Sequence, residues 1–173
     1  MKIIQSKREQ YDVVRKFYHS LIDGMKDFPF TIGWKKDIYP SPEFLRDSIL
    51  NGELYLGLNG ENLVAAMVLN HQYNEGYRKF KWQTDAADSE ITVIHALGVH
   101  PSHGGKGYAK AMVKRAFEIA KANSQKVIRL DVLARNLPAK KLYAALGFKY
   151  MHTLQMFYED TGWTDFELYE YVL

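Results

Sequence analysis

The chain contains no cysteine, and this absence excludes several kinds of chemistry. Disulfide bonds, zinc sites built on cysteine and a thiolate nucleophile are all impossible. Long apolar runs are missing as well: no stretch approaches the roughly 18 apolar residues of a membrane span, and the opening MKIIQSKREQ lacks the apolar core of a signal peptide. We therefore expect a cytoplasmic protein that does not contact a membrane.

A strong excess of one charge is also absent. The 23 basic and 20 acidic residues leave a formal net charge of +3, whereas nucleic-acid binders usually concentrate basic residues on one face. We expect no nucleic-acid partner, since a small anionic ligand accounts equally well for a local basic cluster. With 173 residues, of which 47% are hydrophobic, the chain suits one domain over residues 1–173.

Periodicity and turn signals predict strands and helices in mixed order. We expect strands within residues 2–7, 53–58, 62–73, 90–99, 126–133, 148–158 and 164–173, and helices within 8–24, 42–51, 105–123 and 136–146. Antiparallel hairpins alternate with strand–helix–strand units in this order. The pattern indicates an α+β, or mixed α/β, fold rather than a doubly wound parallel sheet.

The most informative segment is HPSHGGKGYAKA, at residues 100–111, where a strand ends in a glycine-rich loop before a helix. A nucleotide P-loop with its lysine at 106 would need glycine at His100 and serine or threonine at Gly107. The dinucleotide pattern would need glycine at Lys110. What remains is a metal-free cradle for a pyrophosphate at a helix N-terminus, or a plain connecting turn. Several basic residues lie in or near the loop: Lys106, Lys110, Lys114 and Arg115.

Two motifs resemble the GNAT superfamily of N-acetyltransferases. The loop matches V-x-P, a short spacer and then [RQ]-x-x-G-x-[GA], at Val99, Pro101, Gly107 and Ala109. The arginine or glutamine position is taken by Gly104 or Ser102, depending on the spacer. Downstream, NLPAKKLYAALGF matches N-x-x-A-x-x-L-Y-x-x-x-G-F throughout, at Asn136, Ala139, Leu142, Tyr143, Gly147 and Phe148. The resemblance covers about residues 90–150.

This resemblance implies a fold and a co-substrate. The fold is a mixed, mostly antiparallel sheet of six to seven strands, splayed between the fourth and fifth and flanked by about four helices. Acetyl-CoA would enter the splay, with Leu97, Gly98 and Val99 along its pantetheine arm and Gly98 at a strand bulge. The pyrophosphate would lie on residues 104–109, which are Gly104, Gly105, Lys106, Gly107, Tyr108 and Ala109. The second motif would add Asn136, Ala139 and Tyr143.

Acetyl transfer to an amine needs a proton acceptor, a donor to the developing oxyanion and a proton for the leaving thiolate. The resemblance implies that Tyr143 donates the last proton, although a buried core tyrosine would give the same pattern. The stretch HALGVH is similar to a strand of the arylalkylamine N-acetyltransferases, which implies His95 as the base. Those enzymes carry a second histidine where this chain has Val93. Glu90 is the alternative base, and water alone is a further possibility. The non-functional interpretation of His95 is a core histidine whose hydrogen bonds are satisfied.

We do not expect a metal site at His95, His100 and His103, because no acidic residue stands beside them in the sequence. Aromatic residues are candidate walls for the acceptor, although ordinary packing explains any one of them: Trp34, Tyr39, Tyr73, Trp82 and Trp163. The sequence therefore predicts an acetyl-CoA-dependent N-acetyltransferase acting directly on a primary amine of a small molecule or peptide. A non-catalytic acyl-CoA-binding sensor or interaction domain is the alternative, and a homodimer is left open.

Overall fold

The computed structural model describes residues 1–28, 30 and 32–173. Its helices are α1 (Tyr11–Gly24), α2 (Pro42–Leu50), α3 (Tyr108–Ala122) and α4 (Leu137–Ala145). Its strands are β1 (Lys2–Gln5), β2 (Leu54–Asn59), β3 (Asn62–Asn70), β4 (Ile91–Val99), β5 (Val127–Leu133), β6 (Lys149–Tyr158) and β7 (Gly162–Val172). Over the described residues, the predicted α+β class and the order of its elements are confirmed.

The strands form one sheet in the order β1-β2-β3-β4-β5-β7-β6. Every neighbouring pair is antiparallel except β4 and β5, which run parallel. The β4–β5 pairing extends only from Ile91 opposite Val127 to Val93 opposite Arg129. Beyond Val93 the two strands diverge, so the predicted splay between the fourth and fifth strands is confirmed.

Strand β4 contains a bulge at this opening, but not at the predicted residue. His95 pairs with Val68 and Gly98 pairs with Ala66, so that Ala96 and Leu97 together face one residue of β3. Ala96 has a φ of 48°, in the left-handed region that a residue with a Cβ rarely adopts. The expectation of a bulge at Gly98 is therefore wrong.

Gly98 meets a different requirement, which is close packing. A Cβ atom at this position would lie 2.5 Å from Cδ1 of Leu21 and 3.4 Å from the ring of Trp34. Helix α1 also supports the bulge, because the buried Tyr18 hydroxyl donates a 2.8 Å hydrogen bond to the Ala96 carbonyl. The opening in the sheet is thus held in shape by a helix that is distant in sequence.

Helices cover both faces of the sheet. The core beneath α3 and α4 includes Ile94, Leu130 and Val132, whereas Ala96 packs with α1 and α2 on the other face. Because strand side chains alternate between faces, His95 and Asp131 lie on the face away from α3 and α4. No described helix is both long enough and apolar enough to span a bilayer.

Helix α3 begins three residues later than predicted, at Tyr108 instead of Gly105. Gly105 and Gly107 have φ values of 72° and 75°, which are left-handed and incompatible with an α-helix. The glycines therefore form a loop that leads into the helix N-terminus, and they are not part of its first turn.

Candidate active site

A cleft occupies the gap where β4 and β5 diverge, and it encloses about 830 Å³ including its open mouth. It brings together residues that the sequence analysis selected from separate segments. These are Trp34, Tyr39, His95, Leu97, Asn136, Ala139 and Tyr143. The bulge residue Ala96 lies in the same wall.

Tyr143 presents a hydroxyl group that is free to bind a ligand. The side chain is only 6% exposed, and its ring packs against Phe148. Burial raises the pKa of Tyr143, and the nearby Asp131 raises it further, so that the phenol keeps its proton at neutral pH. Among the described residues, none forms a hydrogen bond with this hydroxyl. The ring is buried, but the hydroxyl oxygen reaches the open cleft, where it is available to a bound molecule.

Asn136 positions the helix that carries Tyr143. Its side-chain oxygen accepts a hydrogen bond of 3.3 Å from the backbone N–H of Ala139, so it acts as the N-cap of α4. Leu137 and Pro138 follow, and proline is favoured at the start of a helix because its missing N–H is not needed there. The asparagine of the second motif therefore has a structural role in fixing where α4 begins.

His95 lines the cleft as a neutral imidazole. Its Nε2 lies 2.8 Å from the carbonyl oxygen of Gln72, and because a carbonyl only accepts, Nε2 must carry the hydrogen. Burial lowers the pKa of His95 to about 4, and the Gln72 hydrogen bond opposes only part of that shift. At neutral pH, Nδ1 therefore holds a lone pair and can accept a proton, although only as a weak base.

Glu90 does not reach the cleft. Its carboxylate accepts a 2.9 Å hydrogen bond from the backbone N–H of Ala87 and forms a 2.9 Å ion pair with Lys126. These contacts lower its pKa, with Lys126 the larger cause. Five residues of strand separate it from His95, a distance of roughly 16 Å. The structure thus gives Glu90 a stabilising role at the start of β4 and does not support it as a base.

The glycine loop forms an open backbone surface at the N-terminus of α3. A Cβ atom added at Gly105 or Gly107 would meet nothing within 4 Å, so the two positions leave room for a ligand. Gly107 is the N-cap of α3, and Lys106 and Lys110 are exposed beside it. Backbone N–H groups, the helix dipole and lysines together suit a pyrophosphate. This arrangement fits the phosphate groups of acetyl-CoA.

The same architecture occurs in proteins of known family. The sequence model described as the acetyltransferase (GNAT) family matches residues 17–148, which is most of the chain. The chain belongs to the acetyltransferase (GNAT) family. The resemblance expected from the two motifs is thereby confirmed.

A curated relative matches a limited part of this GNAT chain. An uncharacterized N-acetyltransferase of Methanocaldococcus jannaschii is 31% identical over 68 residues, which cover 39% of this chain and 30% of the relative. The chain thus spans less than a third of that relative's length.

Two solved structures share the fold at low sequence identity. A GNAT-family acetyltransferase from Streptococcus agalactiae has a TM-score of 0.81 at 18% identity, covering 99% of this chain and 95% of the other. An acetyltransferase from Salmonella typhimurium, determined with its cofactor acetyl-CoA, has a TM-score of 0.70 at 16% identity, covering 100% and 94%.

Two acidic residues of the GNAT cleft were missed by the sequence analysis. Oδ2 of Asp131 accepts hydrogen bonds of 2.9 Å from the hydroxyls of both Tyr77 and Tyr158. Asp160, in the turn between β6 and β7, lines the same cleft and is only 6% exposed. Burial raises the pKa of both carboxyls. The signal for Asp131 was present in VIRLDVL, where one acid interrupts an apolar strand, but the turn sequence around Asp160 carries no comparable signal.

Only two of the five aromatic candidates line this cleft. Trp34 and Tyr39 do, with ring centroids 5.7 Å apart. Tyr73 and Trp82 instead pack against Tyr77, each at 5.2 Å between centroids. Trp163 is 68% exposed on the β6–β7 hairpin. For these three, ordinary packing or surface exposure is the correct interpretation.

The two remaining histidines of the loop differ: His100 is hydrogen-bonded at both ring nitrogens, whereas the buried Nδ1 of His103 has no hydrogen-bond partner among the described residues. Nε2 of His100 lies 3.0 Å from the Ser20 hydroxyl, and its Nδ1 lies 2.7 Å from the Ser102 hydroxyl. Within residues 1–28, 30 and 32–173, no group of three or more acidic or histidine side chains is arranged to hold a metal ion.

Proposed function

We propose that residues 1–173 act as one N-acetyltransferase domain, which transfers acetyl from acetyl-CoA directly to a primary amine of a small molecule or peptide. The observation that carries this proposal is the unpartnered Tyr143 hydroxyl inside the cleft where β4 leaves β5. A reacting thioester in this cleft would lie between a proton donor and the bulged strand.

Binding of acetyl-CoA would use two parts of the chain. The loop and the start of α3, at residues 104–109, would hold the pyrophosphate through backbone N–H groups and lysine charge. The pantetheine arm would run along residues 97–99 of β4, whose edge is not paired to β5 beyond Val93. Asn136 and Ala139 would flank it from α4. Acetyl-CoA supplies the acetyl group as an activated thioester.

The chain's own residues would handle the protons. An N–C bond to the acetyl carbon forms while the C–S bond breaks. Nδ1 of His95 would accept the amine proton, directly or through a water molecule, because its lone pair is free at neutral pH. The Tyr143 hydroxyl would donate its proton to the departing sulfur. A backbone N–H at the Ala96–Leu97 bulge would stabilise the negative charge that develops on the carbonyl oxygen.

Two measurements test this proposal. Calorimetry with acetyl-CoA should detect binding, and release of free thiol in the presence of a panel of primary amines should detect transfer. Failure to bind at millimolar acetyl-CoA would overturn both catalysis and acyl-CoA sensing. Binding without thiol release across the panel would favour the sensor alternative. The homodimer and the cytoplasmic location stay predictions.

A further inference from the structure

Asp131 lies beside the position proposed for acetyl transfer. The last paired residues of the two parallel strands are Val93 and Arg129, and His95 and Asp131 each follow two residues later. Both therefore lie where the strands begin to separate, and both are on the face away from α3 and α4. An amine that approaches His95 from this face would meet Asp131 on the opposite wall of the cleft.

Hydrogen bonds hold one oxygen of the Asp131 carboxyl and leave the other available. The hydroxyls of Tyr77 and Tyr158 both donate to Oδ2, each at 2.9 Å. Among the described residues, none donates a hydrogen bond to Oδ1. A carboxylate can accept several hydrogen bonds, so one oxygen is fixed by the protein and the other can accept from a ligand.

Asp160 places a second carboxyl in the same cleft, and this residue is buried. Both carboxyls line this cleft, and burial together with the smaller effect of the Asp160 charge raises the pKa of Asp131. The exposed Lys35 partly offsets the charge of Asp160. Among the described residues that line the cleft, there is neither a lysine nor an arginine. A half-buried and a buried acid without a cationic partner inside the cleft favour a ligand that brings positive charge.

A separate observation identifies this cleft as a ligand site. The Tyr143 hydroxyl, on a side chain only 6% exposed, lines the cleft without a hydrogen-bond partner among the described residues. Trp34 and Tyr39 add aromatic surface, which attracts organic cations. The site thus combines a proton donor, an aromatic wall and two carboxyls.

We infer that the acceptor is a small diamine carrying two positive charges, an inference that rests on the proposed acetyl transfer. Asp131 holds the amino group that will react, which releases one proton to solvent before its nitrogen attacks and a second to His95 as the N–C bond forms, and Asp160 holds the second ammonium group. The assignment follows from position: Asp131 faces His95 and acts electrostatically on Tyr143, whereas Asp160 lies in the β6–β7 turn.

Three probes of equal chain length test the inference: 1,4-diaminobutane, 1-aminobutane and 4-aminobutanoate. Calorimetry without acetyl-CoA measures binding, and thiol release measures transfer. The diamine should bind at least about tenfold more tightly than 1-aminobutane, since a charged hydrogen bond is worth about that factor. The aminobutanoate should bind most weakly, because its carboxylate would face Asp160.

Substitutions test the separate roles proposed for Asp131 and Asp160. Asp160→Asn should lower diamine affinity about tenfold, to the level of 1-aminobutane. Glu159→Gln, at the exposed neighbouring residue, is the matched control and should leave diamine affinity unchanged. Asp131→Asn keeps an oxygen that can accept from both tyrosines and should raise KM for both amines about tenfold. Thermal unfolding monitored by circular dichroism establishes that each variant is folded.

The outcomes separate this inference from the proposed function. Equal affinity of the wild-type protein for the diamine and 1-aminobutane would overturn the inference, even if both are acetylated. Diamine binding that depends on Asp160, without thiol release, would support the site and overturn acetyl transfer. A fall in kcat for Asp131→Asn with KM unchanged would overturn the binding role of Asp131.

Discussion

The two sides of the cleft are built in different ways. The side proposed for acetyl-CoA comes from two short continuous segments, the loop at residues 99–109 and the motif at 136–148. The side proposed for the amine is assembled from distant residues, including Trp34, Asp131 and Asp160. In the proposed function, backbone groups would bind acetyl-CoA on the first side and side chains would bind the amine on the second. Short motifs therefore specify one side, whereas only the folded chain brings the other together.

The two sides of the cleft also differ in charge. Exposed lysines and the N-terminus of α3 make the loop side positive, while the half-buried Asp131 and the buried Asp160 make the other side acidic. A pyrophosphate and an amine would each meet the opposite charge. In the proposed function this polarity would direct the two substrates to opposite sides of the cleft, with Tyr143 and His95 between them.

The largest expected effect is at Tyr143, where the two sides meet. Tyr143→Phe removes the proton donor and keeps the ring, so kcat in the thiol-release assay should fall about 100-fold. Affinity for acetyl-CoA, measured by calorimetry, should change much less than kcat. Tyr150→Phe is the control, because that tyrosine is exposed on β6 and its hydroxyl lies beside Thr153. Unchanged turnover in Tyr143→Phe would remove Tyr143 from the reaction.

His95 should contribute a pH-dependent part of the stability. Its pKa is about 4 in the folded protein and about 6.5 when unfolded, so the unfolded chain binds the additional proton between these values. Stability from this group is complete above pH 6.5 and is lost as the pH falls towards 4, by roughly 2–3 kcal/mol.

Urea unfolding at pH 7.5 and pH 4.5 measures this contribution. In His95→Gln, whose amide can still donate to the Gln72 carbonyl, the loss between the two pH values should be smaller by about 2 kcal/mol. His152→Gln, at an exposed position on β6, serves as the control. An identical pH dependence in wild type and His95→Gln would show that His95 is not buried as a neutral group.

The contrast between the two sides also explains what the sequence could predict. The strands and helices of the described residues followed from periodicity and turn signals, whereas the splay and the role of the loop followed from the family resemblance that two motifs carry. Glu90 was the alternative base because the family resemblance implies a glutamate on this strand, but its position at the start of β4 leaves it outside the cleft. The bulge was expected at Gly98 because glycine favours irregular backbone, whereas a tertiary hydrogen bond from Tyr18 supports it at Ala96. Such contacts between distant segments have no local sequence signal.

That hydrogen bond can be tested directly. Tyr18→Phe leaves the buried carbonyl of Ala96 without its donor, so stability to urea should fall by about 1–2 kcal/mol. The bulge forms one wall of the cleft, so kcat/KM should fall several-fold as well. Tyr11→Phe is the control on the same helix, because the Tyr11 hydroxyl accepts an exposed hydrogen bond from Arg46. This substitution should lower the free energy of unfolding by less than about 0.5 kcal/mol. A Tyr18→Phe variant as stable as the control would mean that the bulge does not depend on α1.

The smallest effect concerns Gly104, which stands where related loops carry arginine or glutamine. Its φ of −60° suits any residue, and an added Cβ would approach only the Pro101 carbonyl, at 3.2 Å. Gly104→Arg should therefore fold and should strengthen acetyl-CoA binding two- to fivefold at low salt, about the value of an exposed ion pair. The gain should shrink at high salt, and Gly104→Ala should show none. Weaker binding by the arginine variant would mean that the pyrophosphate does not lie at this loop. A salt-sensitive gain would show that the side proposed for acetyl-CoA can use a side-chain contact in addition to its backbone N–H groups.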